Sequence, residues 1–289
     1  MMPFSITSNY RKFFILSAVL LLVSVIALTA GGLNLGIDFS GGTIIQIDLK
    51  QTFEAEEVRP FTDKFDENAD ITYSGQEQQQ LVVNTSVDLD EQQRQQLLDD
   101  LIEEYGIEQT DLLSIDTVSP SIGSELTNEA LIAIGVAIIA MMAYITFRFE
   151  FLFGIAAVIA LIHDVIIVLG VYALLNIQVN TPFIAAILTI VGYSINDSIV
   201  VFDRLRENKG KYKKKDLALY VDDSIRQTWR RSVNTSLTTV LALSALYFTG
   251  VPAIQDFTLP MIIGFLFGTY SSIFIAGSFW FIMKQKKTI

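Results

Sequence analysis

Asp197 stands inside an apolar segment, Pro182 to Phe202, that is long enough to cross a bilayer. A carboxylate at that depth costs at least about 2.5 kcal/mol even on the lenient insertion scale, so it marks a functional site by default. Helical spacing puts Tyr193, Ser194, Val201 and Arg204 on its face, at i−4, i−3, i+4 and i+7. Such a stripe should face other helices or a water path rather than lipid. Asn196 or Ser194 could glue helices without a charge, which argues for a titratable role for Asp197. His163, the only histidine, stands beside Asp164 near the middle of another apolar run. The pair is a candidate proton relay, with plain helix-to-helix hydrogen bonding as the alternative. Arg231 stands where a further run begins and could snorkel to the headgroups. If its helix starts earlier, near Ser224, Arg231 sinks deeper and could pair with Asp197. Burial and a nearby arginine act oppositely on a carboxylate, as a titratable transport site requires.

Absences narrow the chemistry. There is no G-x-x-x-x-G-K-[ST], no nucleophile elbow and no H-E-x-x-H, so nucleotide hydrolysis by a P-loop is excluded and no enzyme activity is expected. With no cysteine and one histidine, no disulfide, structural zinc or other cofactor is expected. A membrane potential supplies about 2.3 kcal/mol per charge per 100 mV, and titratable groups within the spans are the visible means of using it.

The elements that must position these groups are mostly apolar helices. The chain has 289 residues, is 51% hydrophobic and has a mean hydropathy of +0.46. Six runs read as membrane spans: Phe13 to Ala30, Ala130 to Phe147, Phe151 to Leu175, Pro182 to Phe202, Val233 to Phe248 and Leu259 to Met283. The first could be a signal peptide, but its length and Leu28 at the −3 position before a cut after Ala30 favour an uncleaved span. Gly264 and Gly268 in the last span form a G-x-x-x-G suited to close helix packing. Asp203 to Arg231 reads as a long polar connection, with Lys209, Lys211, Lys213, Lys214 and Lys215 in a lysine run that suits a lipid-facing loop.

Residues 31–128 differ sharply from the rest. They hold 21 acidic and 4 basic side chains, whereas the remainder holds 10 and 16. Nucleic acid is an unsuitable partner for so acidic a surface. The stretch opens with a turn-rich Gly36-Ile37-Asp38-Phe39-Ser40-Gly41-Gly42, in which Gly36, Asp38, Gly41 and Gly42 stand out. Strands are predicted at Thr43 to Leu49, Ile71 to Tyr73, Gln79 to Thr85 and Leu112 to Val118. Helices are predicted at Glu54 to Phe65, with Val58, Phe61 and Phe65 on one face, and at Asp90 to Tyr105, ended by Gly106. The order β-α-β-β-α-β is the split βαβ, ferredoxin-like arrangement. The expected domains are therefore 1–30, a short terminus and first span; 31–128, an extracytoplasmic α+β domain; and 129–289, five spans with a basic loop at 203–232. Positive charge in Arg11-Lys12, Arg148, the lysine run and the tail puts both termini and that loop in the cytoplasm, with the acidic domain outside.

Val191 to Asn208, with its run Gly192-Tyr193-Ser194-Ile195-Asn196-Asp197-Ser198-Ile199-Val200-Val201-Phe202-Asp203-Arg204, resembles the fourth-span signature of the SecF branch of the SecD/SecF family. Further likeness lies at Gly36 to Gly42, Val118 to Leu126, His163-Asp164-Val165, Arg231 with Asn234 to Thr239, and Gly268 to Ala276. It spans the chain except the middle of the acidic domain. Gly250-Val251 departs from the paired glycines frequent there. The resemblance implies the RND transporter superfamily, half of a twelve-span assembly, and a cytoplasmic-membrane location. It implies a SecD partner, work beside the SecYEG channel and YajC- and YidC-like factors, and proton-driven outward movement of unfolded secretory polypeptides. It implies that Asp197 and Arg231, with Asn196 beside them, form the proton path. A small-molecule or lipid exporter of the same superfamily is the alternative, disfavoured because such exporters usually carry twelve spans in one chain. A passive scaffold is a third reading.

Overall fold

The computed structural model describes residues 5–67, 69–75, 79–213, 216–249 and 251–288; Lys214, Lys215 and Gly250 lie outside them. The chain begins with helix α1 (Ile6–Ala30), a two-residue strand β1 (Asn34–Leu35) and a one-turn helix α2 (Ile37–Ser40). Then come β2 (Gly42–Asp48), α3 (Ala55–Thr62), β3 (Asp70–Ser74), β4 (Gln80–Thr85), α4 (Glu91–Tyr105) and β5 (Leu112–Val118).

These strands form one antiparallel sheet in the order β3-β4-β2-β5. Ile45 and Ile47 alternate along β2 and meet Leu81 and Val83 of β4, so one face of the sheet is apolar. Val58 of α3 and Leu97, Leu98 and Leu101 of α4 complete that core. The start of α4 is a capping box: Asp90 accepts from the Gln93 backbone at 2.8 Å and the Gln93 side chain accepts from the Asp90 backbone at 3.0 Å. Gly106, at φ +67°, ends it in the left-handed conformation. α3 is shorter than its apolar spacing predicts. It stops at Thr62, and Phe61 and Phe65 are only partly buried against the core.

The remaining elements are α5 (Pro120–Arg148), α6 (Phe151–Leu174), β6 (Gln178–Val179), α7 (Thr181–Asn208), α8 (Leu217–Tyr247) and α9 (Pro252–Tyr270). α9 passes without a break through a π-helical segment, Ser271–Ala276, into α10 (Gly277–Thr288). Among the described residues, five helical stretches are long and apolar enough to cross a membrane: 6–30, 120–148, 151–174, 181–208 and 254–286. The chain is membrane-embedded. α8 does not join that group, because its first half carries Asp222, Asp223, Arg226, Arg230 and Arg231.

The expected basic loop at 203–232 is mostly helix. α7 runs on to Asn208 and α8 starts at Leu217, so only a short connection remains, with Gly210 at φ +90°. The early part of α8 lacks glycine and proline, and Val221 and Ile225 are buried at helical spacing. Asp222 on the same turns is buried too. It accepts from the Thr7 backbone at 2.8 Å, from the Thr7 hydroxyl at 2.9 Å and from the Ser5 hydroxyl, and so fastens the start of α1.

The turn after α1 is a joint rather than a free loop. β1 pairs in parallel with β6, Asn34 opposite Gln178 and Leu35 opposite Val179. The Gly36 backbone donates to Val179 at 2.9 Å, and Asp38 accepts from the Thr181 backbone at 2.8 Å, which caps the start of α7. A side chain at Gly36 would strike Asn180, and one at Gly41, which has φ +77°, would strike Pro120 at the head of α5. Asn180 in turn donates to Asp256 of α9 at 2.8 Å.

Candidate functional site: two buried carboxylates in the helical bundle

α7 is the central helix. It buries a stripe that includes Ile187, Ile190, Val191, Ser194, Asp197, Ser198 and Val201, and it packs on α6, α8 and α9. Its approach to α9 is close because Gly264 leaves room for Ile190, where a methyl group would overlap. At Gly268 an added methyl would lie 3.4 Å from the Ser194 Cβ and 3.6 Å from Asp164 Oδ2. The Tyr193 ring stacks on Phe265 with centroids 3.9 Å apart.

Asp164, on α6, is fully buried and fully satisfied. Its Oδ2 accepts from Ser194 of α7 at 2.7 Å and from Ser271 of the π segment at 2.7 Å. Its Oδ1 lies 2.9 Å from Nδ1 of His163. The π segment also puts Ser272 inward, where its hydroxyl lies 2.9 Å from that of Ser198 and 3.2 Å from the Ser194 carbonyl. Nε2 of His163 is buried with no hydrogen-bond partner among the described residues.

Asp197 lies one turn further along α7 and faces α8. It is 6% exposed, and its Oδ2 has no hydrogen-bond partner among the described residues. The Ser232 hydroxyl of α8 is buried and faces this carboxylate. Arg231 acts on Asp197 electrostatically but forms no ion pair with it among the described residues, and its side chain is exposed. α8 does start before Ser224, yet Arg231 does not close on Asp197. The inward position at this level belongs to Ser232, and successive residues are 100° apart around a helix. The same geometry turns Asn196 outward to an exposed position on α7, away from the carboxylate beside it. Above this site Tyr193 reaches the hydroxyls of Ser236 and Thr239, each at 3.5 Å, and Thr269 donates to Ser236.

Sequence reasoning missed Ser232, Ser271 and Ser272. A legible signal existed in the helical spacing of hydroxyls: Ser194 and Ser198 on α7, and Ser232, Ser236 and Thr239 on α8. Among the described residues no group of three or more His, Cys, Asp or Glu side chains could hold a metal ion.

At the basic end of the bundle, Glu150 between α5 and α6 binds Lys209 at 2.7 Å and Lys284 at 3.1 Å. These ammonium groups, Lys209 foremost, hold its carboxyl below the usual carboxylate range against the opposing effect of partial burial. Arg206 packs over the Phe149 ring at 5.1 Å.

Two family models match: the C-terminal region of the protein export membrane proteins SecD/SecF over residues 98–286, and the SecD/SecF GG motif over residues 26–52. The chain is 36% identical to the protein translocase subunit SecF of Sebaldella termitidis, over 99% of this chain and 94% of that protein. It is 40% identical to the SecF subunit of Desulfurispirillum indicum, over 90% of this chain and 85% of that one. The crystal structure of the translocon-associated membrane protein SecDF from Thermus thermophilus superposes with a TM-score of 0.85 at 36% identity. That match covers 98% of this chain but 39% of the SecDF chain, so the chain corresponds to about two fifths of the larger protein.

Proposed function

The chain belongs to the SecD/SecF protein-export family, and from that premise we propose that it couples a proton gradient to export through Asp197. It is an auxiliary subunit of Sec protein export. The observation that carries the proton reading is the state of Asp197: a buried intramembrane carboxylate with one oxygen unpartnered among the described residues, beside the Ser232 hydroxyl and within the field of Arg231. A carboxylate left this short of partners can take up and release a proton as its surroundings change. In this reading Arg231 swings toward Asp197 when the proton leaves and away when it binds. Asn196 serves from the outward face, where a neighbouring subunit would meet it.

The wider arrangement belongs to the same reading. The apolar second half of α8 makes a sixth span beside the five apolar helices, and both termini are cytoplasmic. Residues 31–128 form an extracytoplasmic, ferredoxin-like domain, between a first span in 1–30 and the spans of 129–289. A SecD subunit covers the exposed polar positions Asn196, Arg231 and Asn234, which lipid would not solvate. The pair works beside SecYEG on unfolded polypeptides, with YajC- and YidC-like factors as further neighbours. The joint at Gly36, Asp38, Gly41 and Gly42 carries motion between the outer domain and α7, because it is pinned to the heads of α5 and α7.

The test is export of a secreted reporter into membrane vesicles, with and without an imposed proton gradient. Asp197→Asn keeps size and hydrogen bonding but cannot release a proton, so it should assemble normally and lose the gradient response. Arg231→Lys should be less harmful than Arg231→Met. Asp203→Asn is the control, since Asp203 is partly exposed and pairs with Arg206 at 3.1 Å. A full gradient response in Asp197→Asn vesicles would favour the passive scaffold.

A further inference from the structure

The proton path through Asp197 makes no use of the second buried carboxylate, and the details at Asp164 go beyond what helix packing needs. Every group that faces Asp164 can donate: the hydroxyls of Ser194 and Ser271 to Oδ2, and Nδ1 of His163 to Oδ1. The two hydroxyls come from α7 and from the π segment, so they fix the carboxylate as an acceptor from two directions. With Nδ1–H donating to Asp164, the lone pair of the imidazole lies on Nε2. That atom is buried and has no partner among the described residues. Helix packing makes no use of that nitrogen, the one basic acceptor in the network.

We propose that Nε2 of His163, held in this tautomer by Asp164, is a second proton-binding site of the bundle. A proton arriving there bonds to the Nε2 lone pair. It converts neutral imidazole into imidazolium, and the His163–Asp164 pair passes from a net charge of −1 to zero. The carboxylate keeps its two serine donors in both states, and they supply solvation that the membrane interior lacks. Release of the proton restores the single negative charge. Asp164 is thus a positioning residue, and His163 carries the proton.

The charged and titratable surroundings are few. On α6 the partner is Asp164 itself, and from α9 the Tyr270 ring lies 6.2 Å from the imidazole, nearly parallel to it. The Tyr270 hydroxyl donates to the Phe13 carbonyl of α1 at 3.0 Å and lies 3.3 Å from the Ser17 hydroxyl. α7 presents only the Ser194 hydroxyl to this site, and Asp197 faces α8 instead. The two proton sites therefore lie against different neighbours of α7: Asp197 against α8, and Asp164 against α6 and the last helix. One helix would sense both.

The binding of the proton does not depend on the function proposed above; its coupling to export does. His163 is the only histidine, so a chain labelled with 15N-histidine carries one imidazole and two ring-nitrogen signals. The full-length chain, purified through a tag without histidine and reconstituted with its unlabelled partner in lipid, is the sample. The expected result is a single neutral tautomer with hydrogen on Nδ1, which converts reversibly to imidazolium on acidification. Asp164→Asn removes the carboxylate and should lower the ratio of the Nδ1–H to the Nε2–H tautomer at least tenfold. Ser271→Ala, which leaves His163 and Asp164 in contact, should keep the Nδ1–H form. Finding Nε2–H in the unaltered chain, no conversion on acidification, or the same tautomer ratio in Asp164→Asn would each overturn the proposal. In vesicles, His163→Gln should assemble and lose severalfold of the gradient response. If Asp197→Asn loses that response while His163→Gln keeps all of it, the second site fails as a coupling site and the first stands.

Discussion

Two carboxylates lie buried in the same helical bundle, about one turn of α7 apart, and the protein treats them in opposite ways. Asp164 receives three donors from three stretches of chain, and the far nitrogen of its histidine has no partner among the described residues. Asp197 has one oxygen with no partner among the described residues, and the one hydroxyl that acts on it is that of Ser232. Burying a charge is costly, and hydrogen bonds are what offset the cost. At Asp164 the offset is built in, so the group suits a fixed charge that governs a neighbour. At Asp197 it is incomplete, so the group suits a charge that comes and goes with a change of partner. Burial alone would have ranked the two acids as equivalent. Their donors separate them.

The sharpest way to break this contrast is to remove each carboxylate for an apolar group of similar size. Asp164→Leu strands the Ser194 hydroxyl and an imidazole in the core, while Ser271 keeps only the Gly268 carbonyl at 3.1 Å, and should destabilise the assembled protein by about 3–5 kcal/mol. Asp197→Leu strands at most the Ser232 hydroxyl, and should change stability by less than about 1 kcal/mol while abolishing the gradient response. Thermal unfolding of the complex in detergent measures both, and equal losses would erase the distinction. Next in size is Gly264→Ala, which overfills the contact with Ile190 and should cost about 1–3 kcal/mol. It pushes α9 away from α7, so it should loosen the Ser271 bond to Asp164 and spare the side of Asp197 that faces Ser232. Loss of gradient response without loss of thermal stability would mean that α9 shapes both sites.

The smallest effect is expected at Glu150, a third charged acid, which lies at the edge of the bundle. Its carboxyl is held below its usual range by Lys209 and Lys284, so its contribution is present above that range and lost as pH falls through the lowered value. Glu150 is partly exposed, and Glu150→Gln should cost less than about 1 kcal/mol at neutral pH. The variant should match the unaltered protein once the medium is acidic enough to protonate Glu150. A difference that persists in acid would show that something other than charge holds that end together.

Much of this architecture is legible along the chain. The alternation of Ile45 and Ile47, the cap at Asp90 and the glycine at 106 mark local elements, because each acts through neighbours a few residues away. The same is true of the apolar runs, and of Asp164, His163 and Asp197 as charges out of place. Where a helix ends was harder to read. The stretch 203–231 looks like a loop by polarity, but burial of Val221, Asp222 and Ile225 against distant parts of the chain keeps most of it helical.

What the sequence determined by itself is which groups are anomalous: one histidine, two aspartates within apolar runs, an arginine at the edge of a third run and a glycine-rich turn between a span and a strand. What only the tertiary structure decided is the partners those groups have. Ser271 reaches Asp164 across 107 residues of chain because a π turn rotates it inward, and Ser232 rather than Arg231 lines the face of α8 turned to Asp197. Asp38 meets the head of α7 across 143 residues. Such contacts depend on the rotation of one helix about its axis against another, and a shift of one residue turns a side chain by 100°. Composition and spacing state that a charge must be accommodated. The packing of α6, α7, α8 and α9 determines which atoms accommodate it.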